Sequence, residues 1–292
     1  MKKLRYLFEA IILNILFVFF KILPAHYASS IGGFIGRTIG PKLAASRKAL
    51  RNIQQAMPET TETEQRKIVK GMWDNLGRVI AEYPHLERIS KEYTEIINLD
   101  ETSTDNKSIN SNASIFIGAH LANWEVNGAA TLTQLKQPIN LTYRAPNNPW
   151  VAKILDKSRT LNGRLTAYPK SMDSGRLIMK SIKNSESLGI LIDQKYNEGL
   201  EVDFFNLPAM TNPIFVQLCQ RFKCPLIPVR NERIKGCNFR LTTYPPIETI
   251  SPDGTPRPVI DVINDTHKLL ESWIKERPEQ WMWLHRRWKI TV

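Results

Sequence analysis

Apolar positions dominate the chain from residue 6 to residue 23, with a run from Ala10 to Phe20 broken only by Asn14. Lys2, Lys3 and Arg5 precede the run, and Glu9 and Lys21 interrupt its flanks. About 20 apolar residues cross a bilayer, so residues 1–24 are expected to form an N-terminal membrane helix, short and impure enough to sit tilted or partly inserted. No small-x-small site follows Leu23, which argues against a cleaved secretory signal. The basic start favours keeping the first residues on the cytoplasmic side. A buried helix of a soluble domain is the alternative reading of the same run.

Beyond this segment the apolar spacing becomes periodic. Helices are expected over 46–57 and 62–83, the second opened by the cap-like Thr61-Glu62-Thr63-Glu64. Ile68, Met72, Leu76, Val79 and Ile80 fall on one stripe of that helix and are expected in the core. The glycines of 30–45 resemble a phosphate loop only superficially: no strand precedes them and no Gly-Lys-Ser/Thr closes them. Small residues here suit close helix packing or shallow membrane contact. Short apolar runs predict strands at 93–99, 115–118, 139–144, 165–168, 188–193, 226–230 and 239–244. Helical patterns fall at 151–161, 175–183, 259–275, around 215–219, and after His120 through about Leu135. Residues 102–112 are the most polar stretch and read as an exposed loop. Strands alternating with helices specify an α/β fold, a single mixed β-sheet flanked by helices over residues 25–292, with no internal repeat.

Composition narrows the partners. Forty Lys and Arg against 28 Asp and Glu give a formal charge of +12, which favours an anionic partner. No nucleic-acid reader motif or basic-aromatic repeat is present, so nucleic acid is not expected. An anionic membrane surface, a phosphorylated glycolipid or an acidic carrier protein fits better. Cys219, Cys224 and Cys237 are odd in number and form no Cys-x2-Cys pair. They suggest neither a disulfide framework nor a zinc site, and they suit a reducing cytosolic face.

The stretch Ile115-Phe116-Ile117-Gly118-Ala119-His120-Leu121-Ala122-Asn123-Trp124-Glu125 carries the clearest chemistry. A histidine just past a buried strand sits where open α/β sheets place their ligands. Neutral imidazole is a good base near neutral pH, and a carboxylate on its far nitrogen fixes the tautomer. Five steps on a helix separate two side chains by about 140°. Glu125 can therefore meet His120 only if the histidine lies in the preceding turn and folds back. No Ser or Cys lies within this stretch to act as a nucleophile, so a base activating a substrate hydroxyl is the natural reading. A histidine closing a strand and a glutamate on a solvated helix face fit the spacing as well. Arg144 and Asp193-Gln194 also end predicted strands. The first suits a developing oxyanion, a phosphate or a surface salt bridge, the second a ligand contact or a turn cap. No second carboxylate or histidine lies at ligand spacing from Asp193, so no metal is expected. Near the carboxyl terminus Trp281, Trp283, His285, Arg286, Arg287 and Trp288 mix aromatics with cations, as in a membrane-interface belt or in cation–π packing within the fold.

His120-x4-Glu125 within Gly-Ala-His-Leu-Ala-Asn-Trp-Glu resembles the signature of the bacterial lipid A biosynthesis acyltransferases, the lauroyl/myristoyl transferases of lipopolysaccharide assembly, in the wider glycerolipid acyltransferase superfamily. Four further stretches match in order: Thr142-Tyr143-Arg144-Ala145-Pro146-Asn147-Asn148, Ile192-Asp193-Gln194, Val202-Asp203-Phe204-Phe205, and Pro278 to Trp288. Trp73, Asn75, Gly77 and Glu82 follow the family pattern too, without an assignable role. The resemblance implies a bacterial inner-membrane enzyme with its catalytic domain on the cytoplasmic side. It implies transfer of a fatty acyl chain from an acyl-carrier-protein thioester, the co-substrate, to a hydroxyacyl hydroxyl of a lipid A precursor, with no other cofactor. His120 would be the general base and Glu125 its orienting carboxylate; Asn123, Trp124, Arg144, Asp193, Gln194, Arg286 and Arg287 would meet substrate. Acylation of another glycolipid or phospholipid, from carrier protein or coenzyme A, is the alternative within the class. The chain is short for the family and its 102–112 stretch unusually polar, so substrate contacts near that stretch do not transfer.

Overall fold

Four helices come first in the computed structural model, which describes residues 2–99, 113–169 and 172–288. They are α1 (Lys2–Ile22), α2 (Ala25–Ile39), α3 (Ala45–Ala56) and α4 (Glu62–Glu82). Thr61 opens α4 with a capping box, its hydroxyl accepting from the Glu64 amide while the Glu64 carboxylate accepts from the Thr61 amide. Two otherwise unpaired amides at the helix start are satisfied reciprocally. Of the expected stripe, Ile68, Met72 and Val79 are buried, whereas Ile80 is 40% exposed. Residues 79 and 80 are adjacent, about 100° apart on the helix, and only one of them faces inward.

Glycines set the α2–α4 contact. A Cβ on Gly32 would strike the Gly77 carbonyl, and one on Gly77 would strike the Gly32 carbonyl. The two backbones pack at a distance that no larger residue allows, which is the close helix packing anticipated for this segment.

After α5 (Leu86–Glu92) the chain lays down β1 (Thr94–Asn98) and β2 (Ile115–Gly118), then α6 (Glu125–Thr133), β3 (Ile139–Tyr143), α7 (Pro149–Arg159), β4 (Thr166–Pro169), α8 (Met172–Lys183) and β5 (Ser187–Leu191). A hairpin of β6 (Leu200–Phe204) and β7 (Leu207–Thr211) follows, then α9 (Ile214–Phe222), β8 (Leu226–Lys235), β9 (Asn238–Thr243) and α10 (Val259–Glu276). Seven strands form one sheet in the order β1-β9-β8-β2-β5-β3-β4. All neighbours are parallel except β8 and β9. The sheet is therefore mixed and flanked by helices, as the alternating pattern requires. β2 is central, and its Ile115 and Ile117 are fully buried. The polar 102–112 segment lies outside the described residues.

Three sequence expectations change. The β6–β7 hairpin was not anticipated, because its turn is Phe205-Asn206, with φ of 57° and 55°, instead of the Asn-Gly pair that marks such turns. β8 continues to Lys235, beyond the expected end at 230, since its polar residues Arg230, Asn231 and Arg233 are buried and bonded within the fold. The C-terminal tryptophans are not an interface belt: Trp281, Trp283 and Trp288 are at most 3% exposed. They pack around Phe204 and Phe205 of the hairpin.

At the amino terminus the expected helix forms, but among the described residues no helix is long and apolar enough to cross a membrane. Glu9, Lys21 and the basic start dilute α1 too far for that. Instead α1 turns Ala10, Phe17 and Phe20 inward. Phe17 stacks on Tyr83 with ring centroids 5.8 Å apart, and Asn148 donates to the Tyr6 carbonyl and the Glu9 carboxylate.

Gly77→Val should lower the thermal midpoint by forcing α2 away from α4, with a loss of about 1–3 kcal/mol or more. Thermal denaturation of both proteins in one detergent checks this. An unchanged midpoint would mean that the close approach contributes nothing to stability.

Candidate active site

Strand register creates the site. β2 and β5 are adjacent and parallel, with Gly118 opposite Leu191, and the Ile192 amide donates to the Gly118 carbonyl at 3.0 Å. Two residues past each paired position stand His120 and Asp193. Residues 73 apart in sequence thus meet at the carboxyl edge of the sheet, where open α/β folds bind ligands.

Both ends of His120 are held. Its ring Nδ1 lies 2.7 Å from Asp193 Oδ1, and its backbone amide donates to Asp193 Oδ2 at 3.0 Å. Trp281 Nε1 adds a third bond to Asp193 Oδ2 at 2.7 Å. Burial of Asp193 opposes ionisation most strongly, but the charge and hydrogen bonds of His120 with the Trp281 bond outweigh it and hold the carboxyl well below the usual carboxylate range. An ionised Asp193 accepts the Nδ1 proton, so the lone pair of a neutral ring lies on Nε2. That nitrogen faces Gln194, whose amide nitrogen stands 3.0 Å from His120 Nε2 and 2.8 Å from His285 Nε2. Burial, then the charges of His120, Lys48 and Arg144 against the pull of Asp193, depress His285 to about 4. Neutral His285 accepts from Gln194, and the amide bridges two imidazoles. Trp124 walls the other side, edge-on to the His120 ring at 5.0 Å.

Glu125 is not the partner of His120. It starts α6 turned away, into a buried cluster where Arg159 grips both oxygens at 2.8 Å and Tyr83 donates to Oε1 at 2.6 Å. Trp124 Nε1 reaches the same oxygen at 3.2 Å. Burial again opposes ionisation, and the Arg159 charge, with these bonds, keeps the carboxyl below its ordinary value. His120 does lie in the turn before α6, but its ring turns to Asp193 while Glu125 turns to Arg159 and Tyr83, so the two side chains do not meet.

The turn between β2 and α6 is fastened from behind. Ala122 adopts a left-handed φ of 49°, and its carbonyl accepts from Asn75 at 2.9 Å while its amide donates to the Gln280 carbonyl. Asn123 is fully buried. It donates to Glu82 and accepts from the Glu125 amide, and its carbonyl takes a bond from Asn231. Glu82 in turn is paired with Arg233. Asn75 and Glu82, whose roles were unassigned, hold the turn that presents His120, and Asn123 belongs to that frame instead of facing substrate. Arg287 is likewise only 1% exposed, donating to the Met210 carbonyl and the Thr211 hydroxyl. It ties the C-terminal segment to the hairpin and is closed to substrate. Arg286 is exposed. Arg144, also exposed, follows β3, the neighbour of β5, and its charge is felt at His285.

His285, Lys48 and Arg159 escaped the sequence reading. His285 stood within a quoted motif, but nothing in the spacing links it to position 120. Lys48 lies on α3, and its charge is felt at His285 across a separation that sequence does not reveal. Arg159, at the end of α7, had only its basic character to mark it.

The fold is of α/β architecture, with a histidine–aspartate pair at a sheet edge and no serine or cysteine beside it among the described contacts. Sequence comparison gives the family: residues 1–290 match the bacterial lipid A biosynthesis acyltransferase family, and the chain belongs to it. It is similar to the lipid A biosynthesis palmitoleoyltransferase of Escherichia coli (strain K12), at 24% identity over 91% of this chain and 86% of that protein. Similarity to the lipid A biosynthesis lauroyltransferase of the same organism is 25%, over 82% of this chain and 77% of that protein. A lipid A biosynthesis acyltransferase of Shigella flexneri matches at 24% identity over 91% of this chain. The protein is an acyltransferase.

Breaking the Glu125–Arg159 pair with Arg159→Met should cost about 3–5 kcal/mol by leaving a buried carboxylate unpaired. The folded carboxyl of Glu125 lies below its unfolded value, so its contribution is complete above the usual carboxylate range and is lost as pH falls through the folded value. Denaturation across acid pH should show Arg159→Met lacking this part of the acid dependence. Identical curves for variant and wild type would refute the assignment.

Proposed function

We propose that the protein transfers a fatty acyl chain from a carrier-protein thioester to a hydroxyacyl hydroxyl of a lipid A precursor, with His120 as general base. The observation that carries this is the His120–Asp193 contact, which directs the basic Nε2 outward at the sheet edge. The acceptor hydroxyl takes the place of the Gln194 amide on Nε2 and gives up its proton there as its oxygen attacks the thioester carbonyl. Asp193 stabilises the imidazolium. When the carbon–sulfur bond breaks, the leaving thiolate takes that proton back, giving an ester and the free carrier thiol. Gln194, displaced from His120 but still bonded to His285, offers an N–H to the developing oxyanion. Arg144 stands on the same edge for a substrate phosphate. Family membership supports the lipid A acceptor, and the net charge of +12 suits an acidic carrier.

Membrane attachment fits an in-plane helix better than a spanning one. While α1 buries one face, Leu4, Phe8, Ile15, Val18, Phe19 and Ile22 are 47–77% exposed. On α2, Phe34, Ile35 and Ile39 extend the same kind of surface. Exposed apolar area on this scale marks an interaction site, and a helix with basic residues and one apolar face lies in the interface plane. This supports attachment to a membrane surface, and the lipid A reading makes that the cytoplasmic face of the bacterial inner membrane.

His120→Ala should abolish transfer in a protein that stays folded. The check is mass spectrometry of lipid A from cells lacking the endogenous enzyme and carrying wild type or variant: wild type restores one added acyl chain and the variant none. Restoration by the variant would end the general-base reading. Gln194→Ala should lower kcat about 10²–10³-fold, the usual worth of one oxyanion donor. A rise in KM for the acceptor alone, by steady-state kinetics, would instead make Gln194 a binding residue.

A further inference from the structure

A cleft of about 510 Å³ opens between α2, α4 and the β8–β9 turn, on the far side of the active-site frame. Gln280 lines it, while Trp281, next in an extended stretch, turns to Asp193. Its walls hold seven cations, Arg37, Lys67, Lys70, Arg78, Arg233, Lys235 and Arg277, against two carboxylates, Asp74 and Glu279.

Those two carboxylates are already engaged. Asp74 takes Arg37 at 2.6 Å and Arg78 at 2.5 Å, and Glu279 takes Arg277 at 2.9 Å. Arg233 is neutralised from behind by Glu82. Lys67, Lys70 and Lys235 are exposed and join no ion pair among the described residues. Glu64, one turn from Lys67, is committed to capping Thr61. The arginines are thus fixed in place by their carboxylates, and the lysines carry the uncompensated charge. Such a frame suits a phosphate, which accepts several N–H bonds at once.

Position selects the source of the phosphate. The Arg37 guanidinium lies 5.2 Å over the Phe34 ring, at the border of the exposed apolar face of α2 formed by Phe34, Ile35 and Ile39. A cationic cleft rimming an apolar helix face is the arrangement that meets an anionic headgroup while apolar side chains enter the acyl region. We propose that this cleft binds the phosphate of an anionic lipid headgroup in the membrane that holds the protein. The proposal rests on the in-plane attachment inferred above.

A basic side chain at an anionic surface is worth about fivefold in partitioning, so removing three should cost about 100-fold. The test is sedimentation of the full chain with vesicles of phosphatidylcholine alone or mixed with phosphatidylglycerol. Wild type should prefer the anionic vesicles, more strongly at low salt. Lys67→Ala/Lys70→Ala/Lys235→Ala should lose that preference while keeping its affinity for phosphatidylcholine, and the equal-charge control Lys180→Ala/Lys183→Ala/Lys268→Ala should keep both. Equal losses in the two triple variants would reduce the effect to net charge and overturn the site. Tight binding of inorganic phosphate by wild type, with no vesicle preference to lose, would assign the cleft to a free phosphate and overturn the lipid source. Unchanged vesicle binding with weakened binding of an acidic carrier protein would make it a protein-docking surface and overturn it too. A wild type that binds neither vesicle would sink the membrane reading itself.

Discussion

The parallel pairing of β2 with β5 is the constraint on which the meeting of His120 and Asp193 depends. A strand pair fixes relative position to one residue, and a slip by one would turn His120 and Asp193 to opposite faces. Here the register is held by burial on both sides. Ile115 and Ile117 of β2 and Leu188 of β5 are all nearly or fully buried, so no shifted pairing keeps the apolar set inside. Chemistry at position 120 is thus specified by ordinary core packing some residues earlier.

Around that edge the protein buries more charge than a simple core would. Glu82 with Arg233 and Glu125 with Arg159 lie within the fold, each carboxylate fully or almost fully enclosed. Buried pairs gain little net stability over apolar packing, because desolvation offsets most of the attraction. Their contribution here is directional. Glu82 fixes Asn123, and Glu125 fixes Tyr83, Trp124 and Arg159, so the end of the turn that leads into α6 is tied to both α4 and α7, while Asp193 holds its start at His120. Ala122, just before Asn123, is left-handed, a conformation that non-glycine residues adopt only under restraint, here supplied by Asn75 and the Gln280 carbonyl.

Much of this was legible in the sequence, and what was not has definite causes. Strand-sized apolar runs gave the sheet, and His120, Arg144 and Asp193 were each found at a strand end, where chemistry concentrates. The partner of His120 was misassigned because proximity in sequence favoured Glu125, whereas the ring is met by a residue whose closeness depends on strand order. Strand order is a property of the whole sheet and leaves no local mark. The tryptophans were ambiguous for a related reason: an aromatic cluster beside arginines looks the same at a membrane interface and in a core until its neighbours, Phe204 and Phe205, are known. The hairpin was missed because its turn lacks glycine, and α1 formed as expected but with an inward face that hydropathy alone does not reveal.

The central claim is that Asp193, and not Glu125, completes the catalytic base. It is tested most directly by comparing kcat of Asp193→Asn and Glu125→Gln, each normalised to the folded fraction. The account predicts that Asp193→Asn loses about 10²–10⁴-fold in turnover per folded molecule, beyond whatever stability it loses with the buried carboxylate. It predicts that Glu125→Gln loses stability and retains most of its turnover per folded molecule. The opposite pattern, with turnover kept in Asp193→Asn and lost in a fully folded Glu125→Gln, would contradict it.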